Sequence, residues 1–167
     1  IKSIGGDRKE RWSTPGGKID PCSPGTVKYQ TIFGEMIQKV RHPLDRGDGY
    51  EYSVVAAIRE CIEETGISPI KNNYNLDNIE WNGIEHKSPT FKFSFRIRNL
   101  ATFKNAWSLR SDDSKRRESL DYAFARLNAA DEIILTDFDG TVLKTGREIQ
   151  WRLDKQWEDI KHFLENN

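Results

Sequence analysis

The sequence predicts an α/β fold, because two segments with helical periodicity flank one with strand periodicity. Apolar residues at positions 54, 55, 58, 61 and 62 repeat at helical spacing and stop before Gly66, a common helix terminator. Residues 90–98 alternate between apolar side chains and mostly polar ones, which predicts a strand. Thr145 and Glu148 form a capping-box pattern, and apolar residues from 149 to 164 predict a helix behind it.

Composition predicts one ordinary domain without a strong electrostatic preference. The 167 residues include 26 basic and 26 acidic side chains, so no net charge draws the chain toward nucleic acid or a membrane. The two cysteines, Cys22 and Cys61, are too few for a disulfide framework and fit a reducing compartment. No apolar run approaches membrane-spanning length, and the start does not resemble a signal peptide. We therefore expect a cytoplasmic protein with no membrane partner.

The first predicted helix carries an unusual group of acids near its end. Glu60, Glu63 and Glu64 stand at i, i+3 and i+4, so they share one helical face. Acids in the last turn oppose the helix dipole and repel each other. A hard divalent cation such as Mg²⁺ would offset both effects and prefers oxygen ligands. A solvated acidic face is the alternative, since most charge runs are no more than that.

The pattern around these acids resembles the signature of the Nudix hydrolases. That signature is a Gly, a Glu, and then Arg-Glu-apolar-x-Glu-Glu-x-Gly-apolar. The stretch from Glu51 to Ile67 matches it completely if Cys61 counts as apolar, and Gly16-Gly17 lies upstream. The resemblance implies an α/β/α sandwich with a mixed sheet, spanning residues 1–167 as a single domain.

The resemblance also implies roles for individual residues. Glu60, Glu63 and Glu64 would hold Mg²⁺ (or Mn²⁺), and the carbonyl of Gly17 would complete the ligand set. Glu60 is also the implied general base for the attacking water. Arg59, bridged to Glu51, would keep Glu60 oriented.

Several further residues are expected near a substrate, each with an ordinary structural alternative. Lys18 would touch a phosphate, and Arg96 would line a phosphate or ribose pocket, although both also fit a solvated surface. Glu118 is a candidate for an additional base outside the motif. Candidates for stacking on a base are Trp12, Tyr74, Trp81 and Trp107.

The chain departs from the family pattern in two places. Thirty-three residues separate Gly17 from Glu51, where the family has five, and Asp45 occupies the glycine's usual spacing. We predict an insertion at about 22–49, with a helix or strand pair over 29–40, at the rim of the site. It would shape substrate access or a partner surface, or be a neutral decoration. Only fifteen residues precede Gly16, so one of the family's two leading strands should be absent, supplied from elsewhere in the chain, or cut off at the N-terminus.

A second motif competes with this interpretation. Residues 132–143 resemble the first motif of the haloacid dehalogenase superfamily, with Asp137 as nucleophile and Asp139 as acid–base partner. Only 28 residues follow Asp139, too few for the later motifs. The alternative is a β-hairpin that turns at Asp139-Gly140. Elsewhere we predict a loop over 72–78, a weak strand or hairpin over 79–85 and a charged loop over 108–119.

The predicted function is that of a metal-dependent hydrolase cleaving a diphosphate that links a nucleoside to another group. ADP-ribose or a dinucleotide is the favoured substrate, since such compounds are the commonest in the family. An mRNA-cap hydrolase is an alternative, supported only by the basic residues 115–117. A non-catalytic module that binds a nucleotide, RNA or a protein is another, and a truncated phosphatase is the least favoured.

Overall fold

The computed structural model describes residues 1–5, 7–21, 41–46, 49–69, 74–81, 89–97, 101 and 103–167, leaving aside the side chain at position 117. The predicted elements at 29–40 therefore lie outside the described residues. The strands are β1 (Lys2–Ile4), β2 (Glu10–Trp12), β3 (Tyr74–Glu80), β4 (Thr90–Phe95), β5 (Phe124–Leu127), β6 (Ile133–Thr136) and β7 (Val142–Thr145). The α-helices are α1 (Ser53–Thr65), α2 (Phe103–Ser108) and α3 (Gln156–Asn166).

The mixture of helices and small antiparallel sheets confirms the general α/β class. Pairs β1–β2 and β3–β4 form separate two-stranded sheets, and β5, β6 and β7 form a three-stranded sheet. The chain divides into two compact units. One contains Ile1–Thr14 together with Ser111–Asn167, and the other is Pro15–Arg110. The sandwich and the single domain over 1–167 stay predictions. Within the described ranges, no helix is long and apolar enough to cross a membrane.

The unit formed by the chain ends is built around the central strand β6. Every residue of β6 is buried, because β5 and β7 pair with its two edges. Its side chains Ile133 and Leu135 pack with Trp12 and Ile149. Strands β1 and β2 both precede Gly16 and pair antiparallel, so this short segment contains two strands where the sequence predicted one. Each strand has only three residues, which is how both fit into so short a segment.

The second unit is built around α1, and the predicted helix is confirmed. Val54, Val55 and Ile58 are buried and pack against aromatic residues of β3 and β4. The helix ends at Gly66, whose φ of 73° is left-handed and whose N–H donates to the Ile62 carbonyl. Glycine adopts this conformation without steric cost, so the sequence signal and the structure agree.

Two predicted loops contain regular structure. The sequence predicts a loop over 72–78, but Tyr74–Glu80 pairs with β4. Residues 75–78 are all exposed, and the pairing register shifts between Leu76 and Asn78. Buried and exposed side chains therefore do not alternate here, and that alternation is the signal by which a strand is identified. The segment 108–119 contains a π-helical turn at Ser114–Glu118. Ser111 stabilises its start, since the Ser114 N–H donates to the Ser111 hydroxyl.

The C-terminal helix begins later than the capping box predicts. The box at Thr145 is present, but it caps a 3₁₀ turn over Gly146–Glu148. The backbone is then bound to Trp12, whose N–H donates to the Gln150 carbonyl and whose carbonyl accepts from the Arg152 N–H. These bonds hold the segment extended, so α3 starts only at Gln156.

The alternative interpretation of the Asp137 motif, a hairpin, is confirmed. Strands β6 and β7 pair antiparallel on either side of it. The Asp137 carboxylate accepts hydrogen bonds from the N–H groups of Asp139 and Thr141, so it stabilises the turn. Gly140 supplies the positive φ of 86° that the turn needs.

We predict that Gly66→Ala strongly destabilises the protein. A Cβ at Gly66 would lie 1.6 Å from the Ala106 carbonyl oxygen, in a backbone conformation that is already unfavourable for alanine. We expect a loss of about 2 kcal/mol or more in the free energy of unfolding by urea denaturation. Gly16→Ala is the control, because a Cβ there meets nothing within 4 Å. Equal stability of the two variants would contradict the prediction.

Candidate functional site

Two of the three motif acids of α1, Glu60 and Glu63, contact one guanidinium. Arg59 Nη1 donates to Glu60 Oε1 at 2.9 Å and to Glu63 Oε2 at 3.1 Å. Its Nη2 donates to Glu51 Oε1 at 2.7 Å and lies 3.4 Å from Asp20 Oδ2. Among the described residues, ion pairs join the one Arg59 guanidinium to four carboxylates, those of Asp20, Glu51, Glu60 and Glu63. Glu60 and Glu63 are therefore joined by ion pairs to the same arginine, in addition to sharing one face of the helix.

The pair between Arg59 and Glu51 is the buried part of this network. Glu51 is fully buried, and only 7% of Arg59 is exposed. Burial alone lowers the pKa of the Arg59 guanidinium, but the hydrogen bond to Glu51 and the charges of Glu60, Glu51 and Glu63 outweigh it and raise that pKa. The guanidinium is therefore charged at every physiological pH. Because Arg59 Nε also donates to Glu51, the carboxylate binds one edge of the planar group through two nitrogens, and its orientation is fixed.

The upstream diglycine lies directly on the acids, although it is remote in sequence. The Gly16 N–H donates to Glu64 Oε2 at 2.8 Å. A Cβ on Gly17 would lie only 1.9 Å from Glu60 Oε1. Neither glycine is among the positive-φ residues of the described chain, so Gly17 is required for close approach and not for an unusual backbone conformation. Two carboxylates of the motif therefore face one short backbone segment.

The ends of the insertion meet, which explains how the diglycine reaches the helix. Pro21 and Tyr50 form an antiparallel bridge. Next to it, the Glu51 N–H donates to the Asp20 carbonyl at 3.1 Å, and the Asp20 N–H donates to Glu51 Oε1 at 2.9 Å. The chain therefore leaves and returns at one point. The additional residues do not separate the glycines from the acids.

The donor set fits a hard divalent cation in kind. Glu60, Glu63 and Glu64 offer only oxygen atoms, and the contact of Gly17 with Glu60 brings backbone to the same place. These oxygens are not arranged around an ion site, because Arg59 donates hydrogen bonds to Glu60 and Glu63. In the described part of the chain, no three acidic, histidine or cysteine side chains are grouped as a metal site. Metal binding by these residues stays a prediction.

Lys18 and Arg96, the two cationic residues predicted to contact substrate, are less closely connected to the motif acids. The Lys18 side chain is exposed, and it is its carbonyl that contacts the network, accepting from Arg59 Nη2 at 3.0 Å. Arg96 is exposed immediately after β4 ends. Among the described residues, neither side chain forms an ion pair with the motif acids. Glu118 is exposed on the π-helical turn, in the other compact unit.

The structure separates the four aromatic stacking candidates by their surroundings. Trp12 belongs to a buried core, and Tyr74 packs beside α1. Trp107 stacks on Phe103, with the Arg110 guanidinium 3.6 Å from its ring centroid. Trp81 is 61% exposed, so it is the one of the four whose ring faces solvent most openly.

Two acidic residues of the site were missed in the sequence. Asp20 binds both members of the buried pair, through its N–H and its carboxylate. Asp45, noted only because it replaces a family glycine, is buried and accepts a hydrogen bond from the Ser53 N–H at the start of α1. Asp20 lies three residues after Gly17, and this closeness to the diglycine was a usable signal. Asp45 gave none, because its partner lies eight residues away.

Compared with known proteins, the chain matches no family model, no curated protein and no solved structure. The resemblance to the Nudix hydrolases therefore depends on the motif residues themselves.

We predict that Glu51→Gln destabilises the protein far more than Glu63→Gln. The first change leaves the buried Arg59 charge without its closest carboxylate, and breaking a buried pair typically costs about 3–5 kcal/mol. Glu63 is 34% exposed and makes a solvent-accessible contact, which is worth about 1 kcal/mol or less. Thermal denaturation measures both variants. Similar melting temperatures would show that the buried pair is not the dominant contact.

Proposed function

We propose that this protein is a Nudix-type hydrolase that uses a divalent cation to cleave a diphosphate linking a nucleoside to a second group. The observation that carries the proposal is the contact of Gly16 and Gly17 with Glu64 and Glu60 across more than forty residues. A solvated acidic face would not need a distant backbone segment against its carboxylates. The α/β/α sandwich with a mixed sheet is part of the same proposal.

The proposed ligands of the cation are Glu60, Glu63 and Glu64, with the Gly17 carbonyl. When bound, Mg²⁺ or Mn²⁺ supplies positive charge for the diphosphate and lowers the pKa of the attacking water. The oxygen-only side chains of these three glutamates, on one face of α1, support a cation at this place. Without one, these acids would repel a diphosphate.

The residues of the network have separate roles in this proposal. Glu60 is the general base that takes a proton from the attacking water. Arg59 orients Glu60, since its Nη1 donates to Glu60 Oε1. Glu51 holds Arg59 from within the protein interior and does not contact substrate. Lys18 and Arg96 remain the proposed contacts for phosphate or ribose, because both are exposed cations in the same unit.

ADP-ribose and dinucleotides are the proposed first choice of substrate. The support for an RNA cap is weaker, because the Lys115 ammonium already lies 3.7 Å from the Asp112 carboxylate. A non-catalytic binding module is the second candidate function. It is favoured by one observation, namely that Arg59 itself neutralises part of the acid cluster in the described structure.

Turnover of a substrate panel distinguishes these functions. The panel contains ADP-ribose, a dinucleoside polyphosphate, a capped RNA and a simple phosphate monoester, each with and without Mg²⁺. We expect metal-dependent release of a nucleoside monophosphate from a diphosphate substrate, and a loss of about 10²-fold or more in Glu64→Gln.

Glu158→Gln is the control, because Glu158 is an exposed acid of α3 in the other unit. Binding without turnover would favour the module. Hydrolysis of the monoester alone would favour the phosphatase interpretation.

The diglycine provides a second test with a matched control. In Gly17→Ala the new methyl group must displace the Glu60 carboxylate, because two such atoms cannot lie 1.9 Å apart without a bond. A displacement on this scale at a general base costs on the order of 10²-fold in turnover. The Gly16→Ala variant should keep most activity, since its methyl group meets nothing within 4 Å. Equal activity in the two variants would remove Glu60 from the proposed mechanism.

A further inference from the structure

The start of α1 has no cap of its own. Its N-cap residue, Tyr52, provides no side-chain hydrogen bond, and the first turn contains no acidic residue. The first amides of a helix need acceptors, and negative charge beside them is favourable. Both are supplied by Asp45, whose Oδ1 accepts from the Ser53 N–H at 2.9 Å. Asp45 is 8% exposed, so this charged hydrogen bond is sheltered from water.

The second carboxylate oxygen of Asp45 joins the helix to a turn. Asp45 Oδ2 accepts from the His42 N–H at 2.8 Å, and the Asp45 N–H donates to the His42 carbonyl at 3.0 Å. The His42 ring in turn meets Phe91 of β4 edge to face, with ring centroids 5.4 Å apart. Asp45 therefore ties the beginning of α1 to a compact turn that also rests on the neighbouring sheet.

Glu51 lies on the chain between the two ends of this tie. Its backbone N–H is bound by the Asp20 carbonyl, and its side chain holds Arg59. We infer that Asp45 is a positioning residue: by fixing the return of the chain to the first turn of α1, it holds Glu51 and, through Arg59, the orientation of Glu60. This inference rests on the proposed function, but its structural half can be measured without any metal or substrate.

The test uses the full chain with Asp45→Ala, the double variant Asp45→Ala/Tyr52→Ser, and Thr145→Ala as control. Serine at position 52 gives α1 a local N-cap but does not restore the tie to the His42 turn. Thr145→Ala removes the capping box of the Gly146–Glu148 turn in the other unit, so it matches the loss of a cap without touching the site. Amide hydrogen exchange and Mn²⁺ titration are measured on each protein.

In Asp45→Ala we expect faster exchange at the Ser53 amide and at the Glu51 amide, and a melting temperature lower by about 3 °C. The Mn²⁺ dissociation constant should rise on the order of tenfold, as for other residues that orient metal ligands. The double variant should regain protection in α1 but not at Glu51, and its Mn²⁺ affinity should stay reduced. Thr145→Ala should leave the Glu51 exchange and the Mn²⁺ affinity unchanged.

Unchanged protection of Glu51 in Asp45→Ala would overturn the inference. Full recovery of that protection in the double variant would also overturn it, because Asp45 would then be only a helix cap. A wild-type protein that neither binds Mn²⁺ nor turns over substrate would instead refute the proposed function. In that case the exchange at Glu51 alone decides whether Asp45 positions this residue.

Discussion

The buried pair of Arg59 with Glu51 is the interaction on which the site depends. Burying two charges is unfavourable unless each satisfies the other, and here one carboxylate binds the guanidinium along one edge, through its Nε and Nη2. Its other edge then reaches outward to Glu60 and Glu63. The fixed Arg59 guanidinium, in the middle of α1, thus orients the side chains of Glu60 and Glu63.

Around that pair, backbone groups determine the geometry. Asp20 contributes a carbonyl, an N–H and a carboxylate to the surroundings of Glu51 and Arg59. Gly16 binds Glu64 through its N–H, and Gly17 makes room for Glu60. The acids are therefore contacted from two directions, by the helix that carries them and by the backbone at Gly16 and Gly17. Positions that a motif leaves unspecified supply much of this support.

The sequence was most informative where structure is local. Helix α1 and its end at Gly66 follow from periodicity and one glycine, and the Asp137 hairpin follows from turn chemistry. Prediction failed where a distant partner decides the conformation. Strand β3 depends on pairing with β4, and α3 begins late because Trp12 binds the preceding backbone.

The same limit applies to the site. The glutamates could be identified from their spacing and the resemblance alone, and the roles implied for them remain proposals. The contacts around them could not be identified, because Asp20 binds Glu51 across 31 residues and Asp45 binds the backbone at the start of α1, eight residues away. A sequence motif identifies residues by their type and spacing more readily than it identifies the residues that contact them.

The bridge between Pro21 and Tyr50 has a consequence for how this chain can vary. Because the two ends are joined, each doubling of the chain length between them adds only about 0.6 kcal/mol to the entropic cost of closing the loop. The chain between Pro21 and Arg41 can therefore change in length while the joined ends and the Asp45 turn, which contacts the start of α1, stay in register. The junction of Pro21 and Tyr50 is therefore a place where chain can be added while the residues around Arg59 keep their contacts.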